Sequence, residues 1–402
     1  MKNYTEDTVN MIDIIKGKIN KYFASELQRL KKLDYILLYF FYRLKESVKE
    51  NQVFILSESR TSLSGNLKYI DEKINKDKFN VIYSFKKSIL INRTLSEKKE
   101  FCRILATSKY ILVDDFIPTM YPIPLRKDTR FIQVWHAMGA FKKVGFSRVG
   151  KPGGPSKRSL THRNYTDAIV SSEEIRKDYA EAFGISIDKV HALGIPRTDI
   201  FFDSDYRKKI RRKLEEKYPG IINKKVILFA PTFRGNGVKT AHYDYSWISL
   251  KKIQEKLEKD YIFIIKMHPF IKNKYKETIE SSFFLDLSEE REINDLLFIT
   301  DILITDYSSV IFEASLLDIR TIFFAPDLEE YITTRDFYYP YEEYTFGPVV
   351  INDDELIDAI KRENIDFDKL EKFKAKFCSS CDGKSTERFV KYFFDGECIC
   401  QS

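Results

Sequence analysis

No stretch of this 402-residue chain approaches the ~20 consecutive apolar residues that a bilayer crossing needs. The densest run, LDYILLYFFYRL at 33–44, is far shorter, which excludes a spanning protein. Cysteine is scarce and odd in number, at Cys102, Cys378, Cys381, Cys398 and Cys400. With no secretory signal ahead of the first domain, a reduced, cytoplasmic protein is expected. The C-x-x-C of Cys378 and Cys381 and the C-x-C of Cys398 and Cys400 have spacings open to zinc, but a frayed tail accounts for them equally simply. Arginine-rich repeats, an RNA-binding aromatic signature, short-period repeats and low-complexity tracts are all missing, and the basic residues are spread along the chain. Nucleic acid is therefore not an expected partner.

What is present is the composition of a globular protein, 43% hydrophobic and 32% charged, with a net charge of +7 that mildly favours phosphate-rich ligands or anionic lipid. The length exceeds what one hydrophobic core usually serves, so two domains with a cleft between them are expected. Residues 1–49 read as a helical leader mixing Ile, Leu, Phe and Tyr with lysine and arginine. Such helices either lie on a membrane surface or pack on the first domain with their lysines solvated.

From residue 50 onward, apolar segments of strand length alternate with helical ones. Strands are expected at 52–57, 79–85, 110–116, 130–137 and 167–172, with helices over 66–76 and 96–108 between them. This is the grammar of a parallel sheet wound with helices. It restarts after LGIPRTDIFFD at 193–203 and a charged helix over 206–218, with strands at 224–233, 261–269, 301–309 and 320–326. The expected fold is α/β of the GT-B class: the leader, a Rossmann-like acceptor domain at 50–203 and a Rossmann-like donor domain at 204–402 that includes the final helix. Ligands would bind at the carboxyl ends of the strands, in the cleft. The loop GKPGGPSKRS at 150–159 reads either as a lid or acceptor-contacting loop, or as an ordinary surface loop.

Only five histidines occur, so one at a strand end is informative. His136 follows FIQVW at the carboxyl end of a strand, where imidazole is suited to take a proton from an attacking hydroxyl, although a strand-end histidine also serves structure. His268 in FIIKMHPF ends a strand of the second domain, with Lys266 two residues earlier on the same face, and would face the phosphates of a donor. In LITDYSSVIFEAS, a strand closes on Thr305 and Asp306, and Ser308 and Ser309 stand where a helix begins. Helix N–H groups and hydroxyls there form an anion site without a glycine-rich loop, unless Asp306 or Ser308 is simply a cap. Glu313, one turn on, reaches a ribose or a base, or is merely solvated. Thr232 and Arg234 in FAPTFRGNG, beside Gly235 and Gly237, are expected to contact phosphate. Asp382, Lys384 and Arg388 either close the site or cap the last helix.

The ordered set VWHAMGAFKKVGF, GIPRTDIFF, ILFAPTFRG, IIKMHPF, ILITDYSSVIFEASLL, IFFAPDLEEY and DGKSTERFV resembles the CDP-glycerol glycerophosphotransferase family, the teichoic-acid primases and polymerases with related capsule polymerases. The resemblance covers roughly residues 50–395. It implies a CDP-glycerol or CDP-ribitol donor held mainly by the second domain, and a lipid-linked polymer acceptor. It further implies peripheral attachment to the inner, anionic face of the cell membrane. By the same resemblance His136 is the base, His268 the second essential histidine, and Thr305, Asp306, Ser308 and Ser309 the donor-phosphate cradle. Ala137 departs from the glycine that many members carry after the first histidine, adding a methyl at the acceptor end of the pocket.

The expected reaction is attack of an acceptor hydroxyl, deprotonated by His136, on the β-phosphorus of the donor, with loss of CMP and no obligatory metal or cofactor. The rivals are a GT-B sugar transferase using a nucleotide sugar, and a non-catalytic membrane scaffold of the same pathway.

Overall fold

The computed structural model describes residues 21–235, 239–271, 282–290, 293–334 and 336–396. These fall into two units, one of described residues within 21–197 and 384–396, the other of described residues within 198–383. Each is built on a parallel sheet of six described strands. The first runs β1 (Lys49–Ser57), β2 (Asn80–Phe85), β3 (Ser108–Val113), β4 (Arg130–Gln133), β5 (Asp167–Ile169) and β6 (Val190–His191), in the spatial order β2-β1-β3-β4-β5-β6. The second runs β7 (Lys225–Phe229), β8 (Tyr261–Ile265), β9 (Phe284–Asp286), β10 (Ile302–Thr305), β11 (Arg320–Phe324) and β12 (Val349–Val350), in the order β12-β11-β10-β7-β8-β9.

Central strands are buried on both faces, which is why their sequences are continuous apolar runs: Val53, Phe54, Ile55 and Leu56 in β1, and Val226 to Phe229 in β7. In both sheets the chain reverses direction beside its first strand, between β1 and β3 and between β7 and β10. The loops beyond those strand ends are the switch points where doubly wound sheets bind ligands. Helices between the strands follow their own local signals. Leu95–Thr107 opens with a reciprocal capping box, the Glu97 N–H donating to the Thr94 hydroxyl (3.3 Å) while the Thr94 N–H donates to the Glu97 carboxylate (2.6 Å).

Strands β6, β9 and β12, two or three residues each, are too short to show a hydrophobic period and were not expected. The domain boundary also differs. Division falls at Arg197/Thr198, and the last helix, Ser385–Val390, packs in the first unit instead of the donor domain. The cause is apolar burial: Phe389, Phe393 and Phe394 join Val53, Ile55, Leu67 and Ile70 in one core cluster.

Of the leader, residues 1–20 lie outside the described residues. The helix Leu33–Lys45 seats Tyr35 and Tyr39 against Leu95–Thr107, and the Cys102 thiol donates to the Tyr35 carbonyl (3.5 Å). Its opposite side leaves Leu33, Leu37, Phe41 and Leu44 exposed. Among the described residues no helix is long and apolar enough to cross a membrane.

One polar cluster ties three strands of the first sheet. Asp167 at the start of β5 receives the Arg130 Nε (3.0 Å) and Nη2 (2.5 Å) and the Thr166 hydroxyl (2.7 Å), and His191 Nε2 lies 2.8 Å away. Burial alone would raise the carboxyl pKa, but the bonds from His191 and Arg130 outweigh it and hold it at about 2. A carboxylate depressed from its ordinary 3.8 stabilises the fold above that value, and the contribution fades as the pH falls toward 2. Asp167→Asn is expected to cost roughly 2 kcal/mol at neutral pH. Denaturant unfolding of both proteins checks this: the gap should narrow between pH 4 and pH 2, and a pH-independent gap would contradict the assignment.

Candidate active site

In the first unit, the chain leaves β4 through Val134 and Trp135 into His136. Trp135 has φ +48°, a left-handed backbone that a bulky residue adopts only when its surroundings enforce it. Three contacts enforce it here. The buried Asn66 amide donates to the carbonyls of Val134 (3.0 Å) and Trp135 (2.7 Å), and the Trp135 N–H donates to Gln133 Oε1 (2.8 Å). The indole lies against the His136 ring at 4.6 Å and meets Phe183 edge-on at 5.5 Å.

The turn aims His136 at the end of β3. Its Nδ1 is 3.2 Å from the Asp114 carbonyl and 3.6 Å from the Asp115 carboxylate. Both are acceptors, so Nδ1 carries the proton and the lone pair of the neutral ring is on Nε2, the arrangement of a general base. Asp114 itself is buried, 2.7 Å from the Arg60 guanidinium. Burial raises its pKa, which the opposing charge of Arg60 only partly offsets.

In the second unit, the switch point between β7 and β10 is filled by one arginine. Arg234 donates through Nε (2.6 Å) and Nη2 (2.8 Å) to both oxygens of Asp327, through Nη1 to the Thr232 carbonyl (2.6 Å), and stands 2.9 Å from Asp306 Oδ2. Trp247, Tyr307 and Tyr331 surround it, each ring centre 5.0 Å from the guanidinium carbon. Asp306 in turn accepts the N–H groups of Thr232 (2.7 Å) and Tyr307 (2.6 Å). Burial alone would lower the Arg234 pKa, but the bonds and charges of Asp327 and Asp306 outweigh it and leave the guanidinium permanently charged, its pKa raised still further.

The expected phosphate contact of Arg234 competes with these partners: its Nε and Nη2 groups face carboxylates and Nη1 donates to a carbonyl, so the side chain shapes the loop. Thr305 and Asp306 are likewise internal. The Thr305 hydroxyl donates to the Ala230 carbonyl (2.7 Å), and a buried carboxylate paired with Arg234 has no cationic character to offer an anion. Thr232 is buried, with both its backbone polar groups inside this network. Lys266 is buried too, its ammonium donating to the Ser288 carbonyl (3.1 Å).

Ser308 and Ser309 are half-buried at the end of β10, and Ser309 makes no capping bond to the helix Val310–Leu316. Glu313, within that helix, is buried, which removes the solvated alternative. His268 is half-buried against Phe233 (4.7 Å) and Phe270 (4.7 Å). Its Nδ1 accepts the Phe270 N–H (3.1 Å), so the proton of the neutral ring is on Nε2, which is a donor. The two histidines thus present opposite tautomers, His136 an acceptor and His268 a donor at the same ring atom.

Sequence reasoning overlooked Asn66, Asp114, Asp115 and Asp327. Asp114 and Asp115 close the apolar β3, and Asp327 follows the end of β11, so position at a strand end was the available signal. It also passed over His162, buried on Tyr121 and Tyr165 with Nδ1 about 3 Å from both hydroxyls and its pKa driven by burial to about 4, a neutral packing residue. Among the described residues, no group of three His, Cys, Asp or Glu side chains converges as a cation site. Cys378 and Cys381 are buried free thiols, and Cys398, Cys400 and Gly237 lie outside the described residues.

Removing Arg234 would leave Asp306 and Asp327 buried without a counter-charge. Arg234→Ala is expected to destabilise the second unit by about 3–5 kcal/mol, and Arg234→Lys, which cannot fork across two carboxylates, by less. Thermal melts of the three proteins measure this, and a variant melting with the parent would contradict the structural role.

A model of the family CDP-glycerol:poly(glycerophosphate) glycerophosphotransferase matches residues 37–395. The teichoic acid poly(ribitol-phosphate) polymerase of Bacillus spizizenii is 45% identical over 366 residues, covering 90% of this chain and 59% of that protein. The teichoic acid ribitol-phosphate polymerase TarK of Staphylococcus aureus is 45% identical over 352 residues, covering 86% of this chain and 69% of its own length. The chain thus spans well under the full length of either relative. Among solved structures, the wall teichoic acid polymerase TagF superposes with a TM-score of 0.71 at 22% identity, over 94% of this chain and 98% of that one, which establishes the GT-B fold. On this match across nearly its whole length, the chain belongs to the CDP-glycerol:poly(glycerophosphate) glycerophosphotransferase family.

Proposed function

We propose that the protein transfers a polyol-phosphate, ribitol-phosphate in preference to glycerol-phosphate, from its CDP-linked form to the terminal hydroxyl of a lipid-linked teichoic-acid-type polymer. The observation that carries this reading is His136, a strand-end imidazole whose Nδ1 is committed to Asp114 and Asp115, leaving Nε2 to accept a proton. The preference for ribitol rests on the two relatives above, both ribitol-phosphate polymerases.

In the proposed reaction, Nε2 of His136 takes the proton of the acceptor hydroxyl as its oxygen attacks the β-phosphorus. The bond from that phosphorus to the bridging oxygen breaks, and the electron pair leaves with CMP. Asp115 and the Asp114 carbonyl stabilise the imidazolium that forms. In the second unit, Nε2–H of His268 hydrogen-bonds the pyrophosphate, and the Ser308 and Ser309 hydroxyls add donors. Thr232, Arg234, Thr305 and Asp306 hold the shape of that loop, and Lys266 fixes the end of β8. Positioning and charge neutralisation carry most of such a transfer. Ala137 sits on the acceptor side, beside the base.

Supporting attachment to the cytoplasmic face of the membrane are the exposed Leu33, Leu37, Phe41 and Leu44 of one helix, flanked by Lys31, Lys32, Arg43 and Lys45.

His136→Ala is expected to lower CMP release from CDP-ribitol by ~10²–10⁴-fold with donor binding retained, in keeping with loss of a general base. Wild-type rates in the variant, or UDP release from a UDP-sugar in place of CMP release, would overturn the reading. Leu37→Asp with Leu44→Asp should abolish pelleting with phosphatidylglycerol vesicles while preserving transfer to a soluble acceptor. Undiminished pelleting would rule out this helix as the membrane contact.

A further inference from the structure

The even balance of acidic and basic residues along the chain breaks down in one segment. Residues 129–166, which include His136, contain no Asp or Glu and eight Lys or Arg. At the chain's average of 60 acidic residues in 402, a stretch of this length would carry several. Within it, residues 150–158 fold beside the start of the described leader and border an open surface pocket of about 510 Å³ lined by Lys21, Tyr22, Val149, Pro155, Lys157 and Arg158.

The segment has a fixed backbone. A Cβ on Gly145 would stand 2.0 Å from the Ala182 carbonyl oxygen and one on Gly154 1.8 Å from that of Arg148, so both glycines are needed for close approach. Arg148 donates to the Pro152 carbonyl (2.7 Å), Arg163 to the Lys157 carbonyl (2.8 Å), and the Ser156 hydroxyl to the Lys21 carbonyl (2.6 Å). Arg158 donates to the Tyr22 carbonyl (3.2 Å) and lies 4.0 Å over the Tyr22 ring. These guanidinium groups are oriented by carbonyls and rings. Among the described residues, none of Lys143, Arg148, Lys157, Arg158 and Arg163 forms a close ion pair with a carboxylate, Glu26 acting on Arg158 only through its nearby charge.

We infer that this segment, with the pocket at Lys157 and Arg158, is the binding track for the phosphodiester groups of the acceptor polymer. Three observations select that ligand class. The cations are strung along the chain, which suits anions repeated along a polymer better than one phosphate. The pocket pairs them with the apolar surfaces of Tyr22, Val149 and Pro155, against which the carbon chain of a polyol can lie. The segment follows directly from the proposed base, and the aromatic packing of Trp135 on His162 (6.1 Å) joins the two. The inference rests on the polyol-phosphate transfer proposed above and names where its acceptor is held.

The test uses the full chain, a fluorescent oligo(ribitol-phosphate) of about ten units, and phosphatidylglycerol vesicles. Lys157→Gln with Arg158→Gln should weaken oligomer binding about tenfold and flatten its salt dependence, since fewer counterions are exchanged. Lys143→Gln with Lys157→Gln, which alters only lysine side chains and leaves Arg158 on Tyr22, should weaken it in the same direction. Lys208→Gln with Lys209→Gln, in the other unit, should bind as the parent does. Oligomer binding by both track variants equal to the parent would overturn the inference. So would loss of vesicle binding alone, which would assign these cations to lipid headgroups. Transfer from CDP-ribitol by the parent is scored separately: its absence refutes the proposed reaction, whereas its persistence with unaltered oligomer binding in the variants refutes only the track.

Discussion

The second unit depends on one guanidinium. Arg234 follows β7, Asp306 follows β10 and Asp327 follows β11, so the Arg234 network joins the carboxyl ends of three adjacent strands at the point where the sheet changes direction. A buried ion triad contributes little net stability over an apolar packing, because desolvation offsets its attraction. What it does supply is geometry. Each oxygen of Asp306 is committed, one to the N–H groups of Thr232 and Tyr307 and the other to Arg234, so neither loop can shift without stranding a buried charge. Ser308 and Ser309 are presented by a turn held in this way.

The first unit solves the same problem without charge. Trp135 is kept in a left-handed backbone by Asn66 and Gln133 and by its ring contacts, and this turn directs His136 toward Asp114 and Asp115. Fixing Nδ1 fixes the tautomer, and the tautomer decides whether the exposed nitrogen accepts or donates. His268, with Nδ1 occupied by the Phe270 N–H, is fixed the other way. A base and a hydrogen-bond donor are the two functions the proposed phosphoryl transfer asks of imidazole, and local backbone geometry supplies a tautomer suited to each.

Much of this was legible beforehand. Long central strands such as β1, β7 and β10 were readable because burial on both faces makes them continuous apolar runs, and the two histidines stood out by position. Strands β6, β9 and β12 were not, being shorter than any period. The expected strands overran at their carboxyl ends, at 130–137 for β4, where Val134 and Trp135 stay apolar as the chain turns away, and at 301–309 for β10, where the polar Asp306, Ser308 and Ser309 already belong to the turn. The return of Phe389, Phe393 and Phe394 to the first core is a long-range event that no local pattern encodes. For Arg234 the location was legible and its partners were not: a sequence marks a cation near a switch point but not the two aspartates that pair with it, of which Asp327 is 93 positions away.

The central claim is that the bond broken lies between the β-phosphorus and the bridging oxygen of a CDP-polyol. Phosphorus NMR of the parent protein turning over CDP-ribitol with a primed acceptor tests it most directly. The account predicts that the two coupled pyrophosphate resonances decline together, replaced in equal amounts by the monoester signal of CMP and a new phosphodiester signal. Retention of a coupled pair, as in released CDP, or appearance of inorganic phosphate without a phosphodiester, would contradict it.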